Sequence, residues 1–349
     1  MKRNFFRSRI GRFVPWLAVP LLLWWLLGRI PFSEVGQILV SINSWKLVLL
    51  VLFNILAMIF FASRWWVVIH ELGCNVNYFS LLRYRMAGFT ISYFTPGTQF
   101  GGEPLQIYAL KSRHKLAPSL AAASVTLDKL FEVFSNFTFL AFGIVVITFS
   151  RLFVDISRVT TLIWVGGILL LPVAYLIFLA LGHLPLSSLL TRIKLGLPSK
   201  FTSKQDNWFD RVTRFSCSTE EQVRYFLRNH PSALLKILIA SGLIWVFSLT
   251  EYWLALFVLG AQVNIIQAIA ALTAARLAFL VPLPGGIGAL EASQVYALQA
   301  LGFDPAYGLA ISLWIRSRDG ILGLIGVIAG AGFWKSMRVD SMPPATVEK

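Results

Sequence analysis

Residues 45–69 constrain this chain more than any other stretch: their apolar run is broken only by Lys46, Asn54, Ser63 and Arg64. A run longer than about 18 residues is enough for a helix to cross the hydrocarbon of a bilayer. Segments 160–181, 234–260 and 321–334, the last with its approach from Ala306, repeat the pattern. Only 13% of the 349 residues are charged, against about 25% in soluble domains. The expected class is an all-α integral membrane protein, and a soluble enzyme is excluded.

The formal charge of +15 does not point to nucleic acid. Basic residues crowd into a few connecting segments, as the positive-inside rule requires. Lys2, Arg3, Arg7, Arg9 and Arg12 precede an apolar stretch that leaves through Gly28-Arg29-Ile30-Pro31 without a small-residue cleavage site. It reads as an uncleaved first helix. About six spans are expected, at 14–28, 45–69, 118–149, 159–181, 233–260 and 306–334. About 22 of the 31 Lys and Arg residues then face the cytoplasm. This predicts a multi-pass protein of the bacterial inner (cytoplasmic) membrane with both termini cytoplasmic. The polar segment 183–236 interleaves Phe201, Trp208, Phe209 and Phe215 with Lys and Arg. It suits either a solvated loop with short helices or a surface lying on the anionic leaflet.

Two segments, 77–115 and 264–302, are too polar for clean spans and too apolar for loops. The first holds Pro96, Gly97, Gly101, Gly102 and Glu103; the second holds Pro284, Gly285, Gly286, Gly288 and Glu291. In both, a Glu stands seven residues after the Pro of a Pro-Gly pair. Val76-Asn77 lies nineteen to twenty residues before Pro96 and Val263-Asn264 twenty to twenty-one before Pro284, Asp128 and Arg316 each follow the Glu by twenty-five residues, and Pro118 and Pro305 open the next helices. Four coincidences in register indicate an internal duplication. The topology runs the copies in opposite directions, an inverted repeat with two re-entrant helical hairpins. Pro and Gly break a helix, and a broken backbone persists within a membrane only where protein or a watery cavity covers it. The expected organisation is 1–44, a basic N-terminus and first helix; 45–158, repeat A; 159–232, the fourth helix and basic loop; and 233–340, repeat B.

Asp128, Lys129 and Glu132 lie inside one span, Arg316, Arg318 and Asp319 inside another, with Arg276 before the second break and Glu251 in the fifth span. A charge at the bilayer centre costs about 3 kcal/mol on insertion scales, so such residues pair, line a cavity or serve transport. Glu103 and Glu291 suit helix N-termini. Arg64-Trp65-Trp66 reads as an interfacial anchor, and Gly323, Gly326 and Gly330 as close helix packing. No cofactor motif is present, the four histidines are scattered, and Cys74 and Cys217 form no metal or disulfide pattern.

Phe94-Thr95-Pro96-Gly97, Gly101-Gly102-Glu103-Pro104 and Asp128-Lys129 resemble the lysylphosphatidylglycerol synthase transmembrane region. Pro282-Leu283-Pro284-Gly285-Gly286-Ile287-Gly288 with Glu291 and Arg316 resembles the second signature of that family, so the likeness spans about residues 40–335. It includes the flippase half of MprF-type proteins, which carry a synthase domain after the membrane region. The resemblance implies a stand-alone form without synthase activity, since the chain stops at Lys349.

The favoured role is a lipid translocase or lipid-binding transporter, with a membrane lipid of anionic head group as partner. Its substrate-binding set would be Glu103, Asp128, Lys129, Glu132, Arg276, Glu291, Arg316, Arg318 and Asp319. Two alternatives stay open: an enzyme on a lipid-linked substrate, with Glu103 or Asp128 as acid or base, and an accessory subunit docking a lipid-modifying enzyme.

Overall fold

A computed structural model describes residues 44–94, 101–150, 157–196, 208–281, 283 and 286–340. The described chain is all helix, without a strand. Helices α1 (Ser44–Glu71), α2 (Tyr78–Phe94), α3 (Glu103–His114) and α4 (Pro118–Phe149) form a first set. Helices α5 (Arg158–Leu181), α6 (Pro185–Gly196) and α7 (Trp208–Asn229) lead to a second set, α8 (Pro231–Val258), α9 (Ile265–Ala278), α10 (Ala289–Ala300) and α11 (Pro305–Asp340). Each set runs long, short, short, long.

Local chemistry sets the boundaries. Prolines 118, 231 and 305 open α4, α8 and α11, where a missing N–H costs nothing. Asn264 caps α9: its side chain accepts the Gln267 N–H, and the Gln267 side chain accepts the Asn264 N–H, both at 2.9 Å. Helix α3 ends in Lys111, Arg113 and His114, cations suited to the carbonyl end of the helix dipole. Pro172 lies inside α5, which bends there by 41° because the ring displaces the carbonyl one turn back.

Among the described residues, three helices are long and apolar enough to cross a membrane: Trp45–Glu71, Pro118–Phe149 and Pro231–Val258, joined by bent α5 as a fourth. Their outer faces expose Val48, Leu52 and Ile55 on α1, Leu162, Ile163 and Trp164 on α5, and Leu235, Ile239 and Val246 on α8. So much exposed apolar surface is stable only in lipid. Helix α11 is longer than any of them, and Arg316, Arg318 and Asp319 interrupt its apolar sequence. The expected span at 14–28 lies outside the described residues.

Segments 77–115 and 264–302 each fold as two short helices packed on one another across a break. Pro96, Gly97, Pro284 and Gly285 lie outside the described residues. Gly101, Gly286 and Gly288 take φ values of +133°, +66° and +82°, a region that side-chain-bearing residues avoid. Gly102 meets the Gly88 backbone of α2 so closely that no Cβ would fit.

The two sets interlock. Helix α1 packs along α8, α2 along α11, and α9 along α4. At the α2–α11 crossing Gly326 faces Thr90 and the Met86 carbonyl, and the Thr90 hydroxyl donates to the Gly323 carbonyl at 2.9 Å. At the α9–α4 crossing Gly143 faces Thr273. A glycine of the long helix thus meets a threonine of the short one twice, once per set. Small residues let the backbones approach where lipid offers no hydrophobic drive.

Candidate functional site: an ion-paired cavity between the helix sets

A cavity of about 250 Å³ lies between the sets, walled by α1, α2, α3 and α4 on one side and α8, α9 and α11 on the other. Its apolar wall includes Phe61, Phe89, Trp245 and Leu272. Ten of the lining residues are Arg, Lys, Asp or Glu, five basic and five acidic.

On the first side, Arg64 reaches from α1 to α4, donating from Nε to Asp128 at 2.7 Å and from Nη2 to Glu132 at 3.4 Å. Arg85 of α2 pairs with the other Asp128 oxygen and donates to Glu132 at 2.9 Å. Lys129 completes the cluster, 2.9 Å from Glu132 and 3.4 Å from Glu103. Asp128 and Glu132 share a helix face because they lie four residues apart. Arg64 and Asp128 are 1% and 4% exposed, so neither charge is supported by water. Phe61 lies under both guanidiniums, 4.0 Å from that of Arg85. Glu103 also accepts the Gly101 N–H at 2.7 Å, folding back over the start of α3.

On the second side, Glu251 of α8 accepts from Arg318 of α11 at 3.0 Å and from the Asn54 amide of α1 at 3.3 Å. Arg318 also donates to Asp319 at 2.9 Å. The long-helix pairs have opposite sense: in the first set α1 gives the cation and α4 the anion, in the second α8 gives the anion and α11 the cation. Arg276 of α9 stands apart. Its guanidinium lies 4.8 Å over the Trp245 ring and has no hydrogen bond or ion pair among the described residues. Trp245 is itself held by a stack on Phe139 at 3.9 Å and by its N–H to Ser135 at 2.6 Å.

The structure brings Glu103, Asp128, Lys129, Glu132, Arg276, Arg318 and Asp319 into the cavity wall. Glu291 and Arg316 sit outside that lining and pair with each other at 2.9 Å, with Glu291 also accepting the Gly288 N–H at 2.8 Å. Arg316 still borders the cavity through Tyr93, whose hydroxyl accepts from it at 3.2 Å. The reading of Arg64-Trp65-Trp66 as an interfacial anchor is overturned. Trp65 is fully buried and donates to Ser124, Trp66 packs against the same core, and Arg64 holds the central ion pair. Arg64 and Arg85 are the residues that sequence reasoning missed. A charge inside an apolar run flagged Arg64 as it did Asp128, but the adjacent tryptophans diverted the reading.

A helical membrane protein with a charge-lined cavity between two interlocked helix sets is the class this architecture defines. The chain belongs to the family described as the lysylphosphatidylglycerol synthase TM region, whose profile matches residues 13–326. It is similar to a UPF0104 membrane protein of Methanothermobacter thermautotrophicus, 24% identical over 281 residues, covering 78% of this chain and 82% of that one. It is also similar to UPF0104 membrane protein PH1989 of Pyrococcus horikoshii, 23% identical over 307 residues, covering 85% and 88%. No solved structure matches the chain.

Proposed function

We propose that this protein is a lipid translocase or lipid-binding transporter of the bacterial inner membrane, with both termini cytoplasmic. The observation that carries the reading is the cavity: ten charged residues enclosed by helices whose outer faces are apolar. Ten such charges are too costly to keep for packing alone, since ion pairs in a low-dielectric interior do little more than offset their desolvation. They suit a path along which a head group crosses while its acyl chains stay in lipid. The repeated helix order and the paired Thr–Gly crossings support an inverted repeat, the architecture in which alternating access is built around a midplane site. Glu103 and Glu291, folded over glycine N–H groups beside the breaks, support reading 77–115 and 264–302 as re-entrant hairpins.

Leaflet exchange of head-group-labelled phospholipids in proteoliposomes tests the proposal. Wild type should accelerate exchange of at least one phospholipid. Asp128→Asn and Arg318→Gln should abolish it at matched reconstitution, while Gly166→Ala, which adds a methyl into open space, should not. No acceleration for any phospholipid in the panel would reject translocation.

A further inference from the structure

Resting on the lipid reading, we propose that Arg276 anchors a single phosphodiester in the cavity and that lipids carrying a diphosphate are discriminated against.

The argument starts from which cations are already committed. Arg64 and Arg85 each hold both Asp128 and Glu132, Lys129 bridges Glu132 and Glu103, and Arg318 holds Glu251 and Asp319. Engaging any of these with a ligand opens a pair that burial has made interdependent. Arg276 needs no such exchange: it lines the cavity, and no carboxylate among the described residues is within ion-pair distance. The guanidinium carbon lies 4.8 Å from the Trp245 ring centroid and none of its N–H groups is in a hydrogen bond among the described residues, so its donors remain for an acceptor, and their planar fork is one that phosphate oxygens match. Phe139 and Ser135 hold Trp245 in place, so this platform is already ordered.

The cavity's five cations and five carboxylates already cancel, so every anionic charge brought in is an excess, which Arg276, without an ion pair among the described residues, is placed to meet directly. A phosphodiester adds one such charge. A diphosphate brings at least one more, beside walls that carry five carboxylates and no second uncommitted cation among the described residues. Like charges in a medium of low dielectric repel strongly.

The test uses the full chain in mild detergent, with ligand binding read as a concentration-dependent rise in melting temperature. The probes are dihexanoyl phosphatidylglycerol, dihexanoyl phosphatidylethanolamine, farnesyl diphosphate, phosphate-free dihexanoylglycerol and chain-free glycerophosphoglycerol. Both dihexanoyl phospholipids should bind more tightly than farnesyl diphosphate and than the chain-free ester. Arg276→Gln should weaken them by about ten- to a hundredfold, the range for losing a charged hydrogen-bond partner, without affecting dihexanoylglycerol. Arg276→Lys, which keeps the charge without the planar fork of donors, should fall between and covers a glutamine variant that fails to fold. Phospholipid binding unchanged in both variants, or tighter binding of the diphosphate, would overturn the assignment. Tighter binding of the chain-free ester would show free phosphate, not lipid, to be the source. Arg276-dependent binding without leaflet exchange would refute translocation and leave this assignment standing; exchange that survives Arg276→Gln would do the reverse.

Discussion

An arginine with 1% of its surface exposed inside an apolar helix is stable only as a member of a set, and Arg64 shows what that set requires. It spans two carboxylates of α4, which Arg85 shares from α2. Asp128→Asn removes one anion and leaves two buried guanidiniums undercompensated. The expected loss is about 3–5 kcal/mol, read as a lower melting temperature in detergent. Arg64→Gln combined with Asp128→Asn should recover part of it, because the double variant removes both sides of one pair. A double variant as unstable as the sum of the singles would show that the two residues are not coupled. Asp128, Lys129 and Glu132 were legible in the sequence because lipid makes any charge in a span conspicuous. Their partners were not. Arg64 lies sixty-four residues away, and nothing in local spacing says which helix will lie alongside α4. Arg85 was hidden differently, in a segment of mixed polarity where one more charge drew no notice.

Among the elements, the breaks were the most legible part of the fold, since Pro-Gly followed by Glu at a fixed distance carries its own mechanism. The basic segment 183–236 was legible only in part. It holds α6, α7 and the start of α8; α7 packs through Val223 and Phe226, and its Glu220 accepts the Leu186 and Ser187 N–H groups at 2.8 and 2.9 Å. A carboxylate borrowed from a later helix to cap α6 leaves no local signature. Helix contacts in the membrane turn on small residues, and Gly143 is a direct test. A methyl there collides with the Thr273 side chain, so Gly143→Ala should cost about 1–3 kcal/mol. Thr273→Ala should restore much of that by trimming the obstructing atoms. Gly166 of α5 has open space around it, so Gly166→Ala should leave stability level or raise it by up to about 1 kcal/mol. Melting temperatures of the four proteins decide the matter, and an equal loss at Gly143 and Gly166 would mean the crossing is not tight.

For the whole molecule, orientation is read through Cys217, the less buried of the two free thiols. Burial raises its pKa, and the Glu221 and Glu220 carboxylates add to the effect. Its thiolate fraction at neutral pH is therefore below that of an unperturbed cysteine. An impermeant maleimide should react slowly near pH 7 and faster as pH rises toward and past the usual thiol range. In a Cys74→Ser background, labelling in inside-out vesicles but not in intact cells would place α7 in the cytoplasm; the opposite pattern would invert the topology. The mirrored ion pairs also bear on membrane voltage. An elementary charge moved through 100 mV exchanges about 2.3 kcal/mol with the field. Arg64 with Asp128, and Arg318 with Glu251, carry no net charge when they move as pairs, and the cavity's charged side chains are five basic and five acidic. A protein built this way offers the field almost no handle of its own. Under the translocase reading, any electrical driving force must act through the net charge of the head group, so a zwitterion would cross in either direction at a rate the membrane potential leaves alone.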